Sequence, residues 1–385
     1  MRREFMVRGT LLAVALALGG CATQRQADSG ESRAGVIAAI DKVNGYWQQH
    51  TPAQEWPFWN VATYHTGNLE AWKITRNDAY LRYTLDWAEH NRWMGATSTD
   101  KSQWKYTYGE TPEHVMFGDW QTCFQVYADL YKLAPDPKKI ARAREVMEYQ
   151  MSTPNNDYWW WSDGLYMGMP VMTRLYSITQ DPKYLAKMHD YFAHARKIMY
   201  DEDEKLFYRD ARYVYPAHQS VNGKKDFWSR GDGWVFAALP RVLEDLPAND
   251  PHRAEYEQVF RDMAATLKRV QHADGYWTRS LLDPAHAPGP ETSGTAFFTY
   301  GYLWGINHGL LDKNEYLPVA RKGWHYLTTV AVQPDGRIGY VQPIGDRAIP
   351  GQVVDRDSTA HFGVGAFLLA AAEMVRLIDN RDKGN

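Results

Sequence analysis

Apolar residues recur at helical spacing from residue 33 almost to the C-terminus, whereas the alternation typical of strands is rare. In segment 181–199 the apolar stripe includes Leu185, Met188, Phe192 and Met199, which fall on one face of a helix with 3.6 residues per turn. Twelve segments show such spacing and predict twelve helices, over residues 33–50, 61–75, 78–94, 118–133, 136–151, 163–179, 181–199, 231–246, 250–271, 294–311, 313–330 and 359–378.

The connections between these helices alternate between short and long. Those near residues 76, 134, 180, 247 and 312 span a few residues, as is usual between paired helices. The others are long and rich in Trp, Tyr, Gly and charge, over 95–117, 152–162, 200–230, 272–293 and 331–358. This alternation predicts an all-α fold, an (α/α)6 barrel in which six hairpins form a toroid with the even-numbered helices inside. The long connections would share one face, where ten of the sixteen tryptophans fall.

The chain has 385 residues, of which 44% are hydrophobic and 14% aromatic. This is enough to bury a large core without help from a metal or a disulfide. Removal of residues 1–20 would take away Arg2, Arg3, Arg8 and Glu4 and leave 40 basic residues against 45 acidic ones, a net charge of −5. A nucleic-acid binder is expected to be basic, so the charge argues against that class.

The N-terminal sequence MRREFMVRGTLLAVALALGGCA has a basic start, an apolar run and small residues before Cys21. The run is shorter than the roughly 20 apolar residues that span a bilayer, so it predicts a signal peptide over 1–20. LGGC resembles a bacterial lipobox, which implies lipid attachment at Cys21, and RREFM resembles a twin-arginine export signal. We expect an exported lipoprotein, periplasmic or associated with the outer membrane, with residues 21–32 as a flexible tether and the lipid as its only membrane contact.

The stretch YWWWSDGLYMGMP places three consecutive tryptophans shortly before Asp163. Trp160 and Trp161 cannot both face one apolar layer in a helix or a strand, so we expect at least one of them to face a cleft. An aromatic cleft with scattered acids and arginines suits a sugar, because its C–H faces stack on aromatic rings and its hydroxyls bond to charged groups. An oligosaccharide is therefore the leading ligand class.

Two aspartates at the starts of inner helices, Asp119 and Asp163, are the candidate acid–base groups. The structural alternative is that each is an N-cap. A helix N-terminus lowers the pKa of a carboxyl group, whereas burial and a neighbouring carboxylate raise it. Because a general acid keeps its proton near neutral pH, we expect burial and repulsion to prevail at one of the two.

The motif FWSRGDGWV brings Trp228, Arg230 and Trp234 close together. An arginine held beside indoles fits bidentate binding of a carboxylate. The alternative is a surface ion pair between Arg230 and Asp232, and the sequence does not decide between them.

The motif PETSG places Glu291, Thr292 and Ser293 before a strongly apolar inner helix. Helix capping is the structural interpretation of these polar residues, and we favour it for Thr292. The motifs HExxH, CxxC, GxSxG and the P-loop are absent, and Cys123 is the only cysteine besides Cys21. We therefore expect no metal, no cofactor and no intramolecular disulfide.

In this order, WWWSDGLYMGMP, FWSRGDGWV, ETSGTAFFTYGYLWGINHG and GYVQPIGD resemble the unsaturated rhamnogalacturonyl hydrolases of glycoside hydrolase family 105, relatives of the family 88 unsaturated glucuronyl hydrolases. The resemblance covers residues 35–380 and implies the same (α/α)6 barrel, with 33–385 as a single catalytic domain. It also implies an activity, the removal of a 4,5-unsaturated uronic acid from the non-reducing end of oligosaccharides left by polysaccharide lyases. The expected partner is thus a small acidic oligosaccharide.

The resemblance also implies roles for individual residues. Asp163 would be the acid and the water activator in a vinyl-ether hydration, and Asp119 the second acidic residue. The substrate-binding positions are Trp161, Trp228, Arg230, Trp234, Arg209, His114, Glu291 and Ser293, with Arg230 for the uronate carboxylate. Many members have His where this chain has Arg209 and Asn where it has Asp232. The next sugar therefore stays open between rhamnose, as in pectin fragments, and another sugar of an acidic glycan.

Two other functions fit the sequence. A polysaccharide lyase on the same toroid would need a base and a carboxylate neutraliser, for which Tyr166, His218 and Arg230 are candidates. A glycan-binding lipoprotein without turnover would need no acid–base group. The sequence does not fix the oligomeric state.

Overall fold

The computed structural model describes residues 31–383, so the predicted signal peptide, Cys21 and nearly all of the predicted tether lie outside the described residues. Within that range the chain forms twelve α-helices, one in each predicted segment: α1 (Arg33–His50), α2 (Trp59–Thr75), α3 (Asp78–His90), α4 (Thr122–Leu133), α5 (Lys138–Ser152), α6 (Ser162–Thr179), α7 (Lys183–Met199), α8 (Ser229–Asp245), α9 (Arg253–Arg269), α10 (Thr292–Asn307), α11 (Lys313–Tyr326) and α12 (His361–Lys383). Two antiparallel strand pairs lie in the long connections, β1 (Tyr200–Asp201) with β2 (Leu206–Phe207) and β3 (Trp277–Thr278) with β4 (Pro290–Glu291).

The even-numbered helices form a closed inner ring. Each one packs against the next even-numbered helix, and α12 packs against α2. The odd-numbered helices lie outside, each on its hairpin partner, and α1 packs on α12. The prediction of an (α/α)6 barrel is therefore confirmed.

Burial follows the apolar pattern of each ring. The inner helix α10 is buried at every residue from Thr292 to Ile306, whereas the outer helix α9 buries one stripe that includes Tyr256, Phe260 and Met263. An inner helix is enclosed on all sides and an outer helix on one side only. Helix α12 is long and apolar enough to cross a membrane by composition, but most of that stretch is buried inside the ring, as in the core helix of a globular domain.

Helices α2 and α12 approach each other backbone to backbone. A β-carbon on Gly67 would lie 2.2 Å from the carbonyl oxygen of Gly365, and one on Gly365 would lie 2.4 Å from the carbonyl oxygen of Thr63. Neither distance leaves room for a side chain, so closure of the ring requires glycine at both positions.

The long connections are pinned to the inner helices by a repeated backbone contact. The first amide of α6, Ser162 N–H, donates to the carbonyl of Arg209 at 2.8 Å. In the same way Ser229 at the start of α8 donates to Arg279 at 2.8 Å, and Thr292 at the start of α10 donates to Tyr340 at 2.9 Å. These amides have no partner within their own helix, so each contact fixes a loop residue above a helix N-terminus.

Some predicted boundaries are wrong for local reasons. The segment predicted over 78–94 ends as a helix at His90, because Arg92 and Trp93 take left-handed backbone angles with φ of 51° and 59°. The segment predicted over 118–133 begins with a 3₁₀ turn at Gly118–Trp120 before α4 starts. The segment predicted over 313–330 changes into a π-helical turn at Leu327–Ala331.

Charged side chains fill the ring toward the C-terminal ends of the inner helices. Arg174 of α6, with a side chain only 3% exposed, donates to Asp129 of α4 at 2.8 Å. Arg241 of α8 lies 3.7 Å from the same carboxylate. Arg376 of α12 pairs with Glu70 of α2. Buried charges of this kind persist only when they are paired, so each pair ties two inner helices together.

Candidate active site

A cavity of about 490 Å³ opens on the face where the long connections meet the N-termini of the inner helices. Both candidate acids line it, together with four tryptophans, one tyrosine and two arginines. The lining residues are Trp56, Phe58, Trp59, Asn60, Tyr108, Glu110, Asp119, Trp160, Trp161, Asp163, Arg209, Arg212, Ile344, Gly345 and Asp346. Its volume lies within the range of sites that hold small molecules.

Asp119 and Asp163 reach this cavity from different inner helices. Asp119 lies in the 3₁₀ turn before α4 and is 6% exposed, and Asp163 is the second residue of α6 and is 8% exposed. Neither carboxylate caps its helix, since the N-cap residues Gln121 and Trp161 make no side-chain cap. The capping interpretation is therefore wrong for both aspartates.

Burial raises the pKa of both carboxyl groups. The pKa of Asp119 lies well above 3.8, first because of burial and then because of the charge of Asp163. The pKa of Asp163 is raised by burial but is opposed by Arg209, by Arg230 and by a hydrogen bond from Ser162. Since the two carboxyls interact, their protons belong to the pair. The pair retains a proton at a pH where an exposed aspartate has lost it.

The three consecutive tryptophans divide between the core and the cavity. Trp159 is buried at 1% exposure and packs over Gly168. Trp160 and Trp161 both line the cavity, with ring centroids 4.7 Å apart. Trp161 also packs on Phe117, at 4.8 Å between centroids. The expectation that at least one indole faces a cleft agrees with this arrangement, and the indoles form an apolar wall beside Asp163.

Arg209 is the arginine that approaches Asp163. The backbone bridge between Trp161 and Asp210 sets the two segments side by side. Nη1 of Arg209 donates to Asp210 at 2.7 Å, and its Nε lies 3.8 Å from Oδ2 of Asp163. Its guanidinium carbon is 5.6 Å from the ring centroid of Trp160, so a positive charge is held between the indole wall and the acid.

Arg230 does not line the cavity, although its charge lowers the pKa of Asp163, and its assignment to the uronate carboxylate stays a prediction. Its side chain is 1% exposed and donates to the backbone carbonyls of Gln342 at 2.8 Å and Pro343 at 2.9 Å. The alternative of a surface ion pair with Asp232 is wrong. Asp232 is fully buried and accepts the amide of Phe207 at 2.8 Å, and burial raises its pKa well above 3.8. Arg230 instead anchors the loop that carries Ile344–Asp346.

The two indoles beside Arg230 also lie away from the cavity. Trp228 is 2% exposed, carries the guanidinium of Arg230 at 4.4 Å from its ring centroid and donates to Gln342 at 2.8 Å. Trp234 is fully buried and packs on Tyr166 at 5.0 Å between centroids. In this structure both indoles pack beneath the cavity, and their assignment as substrate-binding residues stays a prediction.

His114, Glu291 and Ser293 also serve the scaffold in this structure. His114 packs against Gly109 and bonds to the hydroxyl of Thr111 at 2.9 Å. Glu291 is the N-cap of α10 and accepts the amides of Ser293 at 3.1 Å and Gly294 at 2.7 Å. The Ser293 hydroxyl donates to Glu291 at 2.7 Å. None of the three lines the cavity.

The residue that caps α10 is not the one favoured from the sequence. The sequence favours Thr292 as the capping residue, but its hydroxyl donates to the carbonyl of Gly339 at 2.8 Å, and Glu291 caps the helix. The carboxylate of Glu291 also accepts the amide of Gln342 at 3.0 Å. Both side chains thus hold the 331–358 connection against α10.

Several cavity residues do not stand out in the sequence. Tyr108 and Glu110 come from the 95–117 connection, Arg212 from 200–230, and Asp346 from 331–358. Each belongs to a long connection rich in aromatic or charged residues, and that composition is the available signal. Spacing alone does not find them, because irregular loops have no period from which the side-chain direction can be deduced.

The site combines an acid pair with raised pKa values, a nearby guanidinium group and an indole wall. It lies at the mouth of a six-hairpin toroid, and these features together indicate a glycoside hydrolase. A sequence model of Glycosyl Hydrolase Family 88 matches residues 38–378. The chain belongs to glycosyl hydrolase family 88, and the predicted kinship with the unsaturated uronyl hydrolases is confirmed.

Two curated relatives share a name. Unsaturated 3S-rhamnoglycuronyl hydrolase of Formosa agariphila is 34% identical over 369 residues, which cover 92% of this chain and 93% of that protein. The protein of the same name from an Alteromonas species is 41% identical over 217 residues, 56% of this chain and 51% of that protein.

Solved structures share the fold across the described chain. A family 88 glycosyl hydrolase from Bacteroides vulgatus is 58% identical with a TM-score of 0.88 and covers 90% of this chain and 99% of its own. A protein described as a polysaccharide lyase is 64% identical with a TM-score of 0.88 and covers 90% of this chain and 98% of its own. A possible family 105 member from Salmonella enterica, 19% identical with a TM-score of 0.73 over 90% and 94% of the two chains, shares the fold.

Proposed function

We propose that the protein removes a 4,5-unsaturated uronic acid from the non-reducing end of lyase-generated oligosaccharides by hydrating the vinyl ether. The observation that carries this proposal is the buried pair Asp119 and Asp163 in one aromatic cavity, with pKa values raised by burial. A vinyl ether is cleaved by protonation of carbon, which needs a strong enough acid kept protonated near neutral pH. Burial raises the pKa of both carboxyl groups in the direction that this chemistry requires.

The reaction proceeds in three steps. Asp163 gives its proton to C4, and the positive charge that forms is shared between C5 and the ring oxygen. The Asp163 carboxylate then accepts a proton from water, whose oxygen bonds to C5 to give a hemiketal. The hemiketal opens to a C5 ketone, and the exposed hemiacetal at C1 releases the next sugar with its hydroxyl group. The charge of Asp163 raises the pKa of Asp119, so the two carboxyl groups retain a proton as a pair.

The sugar that follows the uronate is proposed to be a rhamnose. This extends the names of both curated relatives, which are rhamnoglycuronyl hydrolases. The rim of the cavity carries exposed apolar residues, Trp56 at 42% and Ile344 at 63%, on which the 6-methyl face of such a sugar could pack.

A second candidate function, polysaccharide lyase, is favoured by the 64% identity to a protein described in that way. The residues that the sequence suggests as the base of a lyase do not lie in the cavity. The hydroxyl of Tyr166 bonds to Thr66 in the core, and His218 bonds to Asp226 outside the cavity. Tyr108 does line the cavity, but burial and the charges of Glu110 and Asp119 raise its pKa. A raised pKa disfavours the phenolate that elimination needs, so the site supports hydration better.

The test follows the ultraviolet absorbance of the conjugated double bond. Purified protein is given an unsaturated uronyl-rhamnose disaccharide and, separately, the intact parent polysaccharide. A decrease on the disaccharide supports hydration. An increase on the intact polymer establishes the lyase instead, and no change on either identifies a glycan-binding protein without turnover.

Export and lipidation remain part of the proposal. The lipobox-like LGGC and the apolar run before it support a lipid at Cys21 and a periplasmic or outer-membrane location. Cys21→Ser should release the mature protein from the membrane fraction, and mass spectrometry of the mature N-terminus measures the lipid directly.

A further inference from the structure

The cavity that contains the acid pair has an unfavourable charge for an acidic substrate. Four carboxyl groups line it, those of Glu110, Asp119, Asp163 and Asp346, against two guanidinium groups. Even with one proton held by the acid pair, the carboxylates outnumber the arginines. A uronate therefore needs a concentrated positive charge for its own carboxylate.

Arg209 offers hydrogen-bond donors that the protein itself does not use. Its Nη1 is engaged by Asp210 at 2.7 Å. Its Nε is buried and has no hydrogen-bond partner among residues 31–383, and none is seen for Nη2 in that range. Nε and Nη2 form one edge of the guanidinium fork, an edge that takes a carboxylate bidentately. This edge belongs to a side chain that lines the cavity.

Arg212 is held by the same carboxylate. Its Nε donates to Oδ1 of Asp210 at 2.9 Å and its Nη2 donates to Oδ2 at 2.8 Å. The Oδ2 atom of Asp210 therefore accepts from both arginines. Nη1 of Arg212 has no partner within the described range, and the side chain is 65% exposed at the cavity. The two guanidinium groups are thus set close together despite their like charge.

Asp210 does not line the cavity and is 2% exposed. Its backbone is bridged to Trp161, and its carboxylate also accepts the amide of Arg212 at 2.9 Å. We propose that Asp210 is a positioning residue that holds Arg209 and Arg212 as one receptor for the uronate carboxylate, with the Nε–Nη2 edge of Arg209 as the docking edge. This inference rests on the proposed function and explains how the site selects an acidic sugar.

The receptor explains how the reacting carbons reach the acid. In a 4,5-unsaturated uronate the carboxylate carbon is bonded to C5, and C4 is the next atom of the double bond. The Nε of Arg209 is 3.8 Å from Oδ2 of Asp163, so a carboxylate docked on this edge brings C5 and C4 beside the proton donor. Arg230 is less suited to this role, because it does not line the cavity and both of its Nη atoms already donate to backbone carbonyls.

The test measures discrimination between the carboxylate and its neutral ester. The ligands are the unsaturated uronyl disaccharide and its uronyl methyl ester. Dissociation constants are measured by calorimetry in Asp163→Asn protein, in which turnover should be slower by about 10²-fold or more. That protein should favour the free acid by about 10- to 100-fold. Adding Arg209→Gln should bring the preference near unity, and Arg209→Lys should keep part of it. Adding Asp210→Asn, which retains an acceptor for the amide of Arg212, should lower the preference several-fold.

Asp201→Asn is the matched control. Asp201 lies in the same connection and accepts from Lys225 and Tyr208, but it does not line the cavity, so the preference should be unchanged. The inference is overturned if Asp163→Asn protein shows no preference, if Arg209→Gln leaves it intact, or if Asp201→Asn lowers it as much as Asp210→Asn. Failure of the proposed function looks different, since wild-type protein would then bind the acid over the ester and leave its double bond intact.

Discussion

The Nε atom of Arg209 lies 3.8 Å from Oδ2 of Asp163, close enough for its charge to act on the carboxyl group and too far for a hydrogen bond. The guanidinium group lowers the pKa of Asp163 while burial raises it, and burial prevails. Burial therefore favours the protonated form of Asp163, and the charges of Arg209 and Arg230 oppose it.

Replacing the acid should remove most of the activity. Asp163→Asn keeps the size of the side chain and removes its proton, so kcat should fall by about 10²-fold or more, with a smaller change in KM. Steady-state assays on the unsaturated disaccharide measure this. Asp157→Asn is the control, because Asp157 accepts from Tyr106 in the preceding connection and does not line the cavity. Equal losses in the two variants would contradict a catalytic role for Asp163.

The pH profile should report the interacting pair. The acid form exists below the raised pKa of Asp163, so kcat/KM should decline as pH rises through that value. Arg209, Arg230 and Ser162 lower the pKa of this carboxyl group, and its charge in turn raises the pKa of Asp119. Asp119→Asn removes the member of the pair whose pKa is raised more, so the last proton should be lost from Asp163 and the alkaline limb should move to lower pH. The profile of kcat/KM measures the shift. An alkaline limb that stays in place would show that the two carboxyls do not interact.

A buried aspartate outside the cavity should make stability depend on pH. The pKa of Asp232 in the folded state is raised well above 3.8 by burial, so its stabilising contribution is present below pH 3.8 and is lost as pH rises through the folded value. Asp232→Asn keeps the acceptor for Phe207 and removes the ionisation that opposes folding. The substitution should therefore raise Tm by a few degrees near pH 7.

Thermal unfolding across the pH range measures this effect. The gain of Asp232→Asn should disappear below about pH 4, where the aspartate is protonated in both states. A gain that is the same at all pH values would mean that ionisation of Asp232 is not its source.

The charged cluster inside the ring should be sensitive to loss of one partner. Asp129→Ala leaves the buried Arg241 without a carboxylate and Arg174 with only Asp245, at 3.7 Å, which should cost about 3–5 kcal/mol of unfolding free energy. Denaturant titration measures it. Asp136→Ala breaks an exposed pair with Lys138 and a hydrogen bond from the Lys138 amide, and should cost much less. Similar losses at the two positions would mean that burial does not determine how much an ion pair contributes to the free energy of unfolding.

The twelve helices and their alternate placement could be predicted because long periodic segments carry their own signal. The stripe of α9, with Tyr256, Phe260 and Met263, is visible without tertiary information. Helix ends are less predictable. Trp93 has a left-handed backbone conformation. No residue pattern predicts it, because tertiary packing stabilises that conformation.

The acidic residues of the site could be predicted from the sequence, whereas its arginines could be predicted less well. Asp119 and Asp163 begin inner helices, so the toroid brings them together as expected. Trp234 and Arg230 also lie at a helix start, but position along a helix does not say whether a side chain faces the cavity or the core. Arg209 instead reaches the site through a loop pinned to α6, and such long-range pairing leaves no mark in local sequence.

The central claim is that the acid pair protonates a carbon–carbon double bond. The most direct measurement is the ultraviolet absorbance of an unsaturated uronyl disaccharide mixed with purified wild-type protein and with Asp163→Asn. With the wild type the absorbance should fall steadily, and with the variant the rate of this decrease should be lower by about 10²-fold or more. Unchanged absorbance with the wild type, or rising absorbance on the intact polysaccharide, would contradict it.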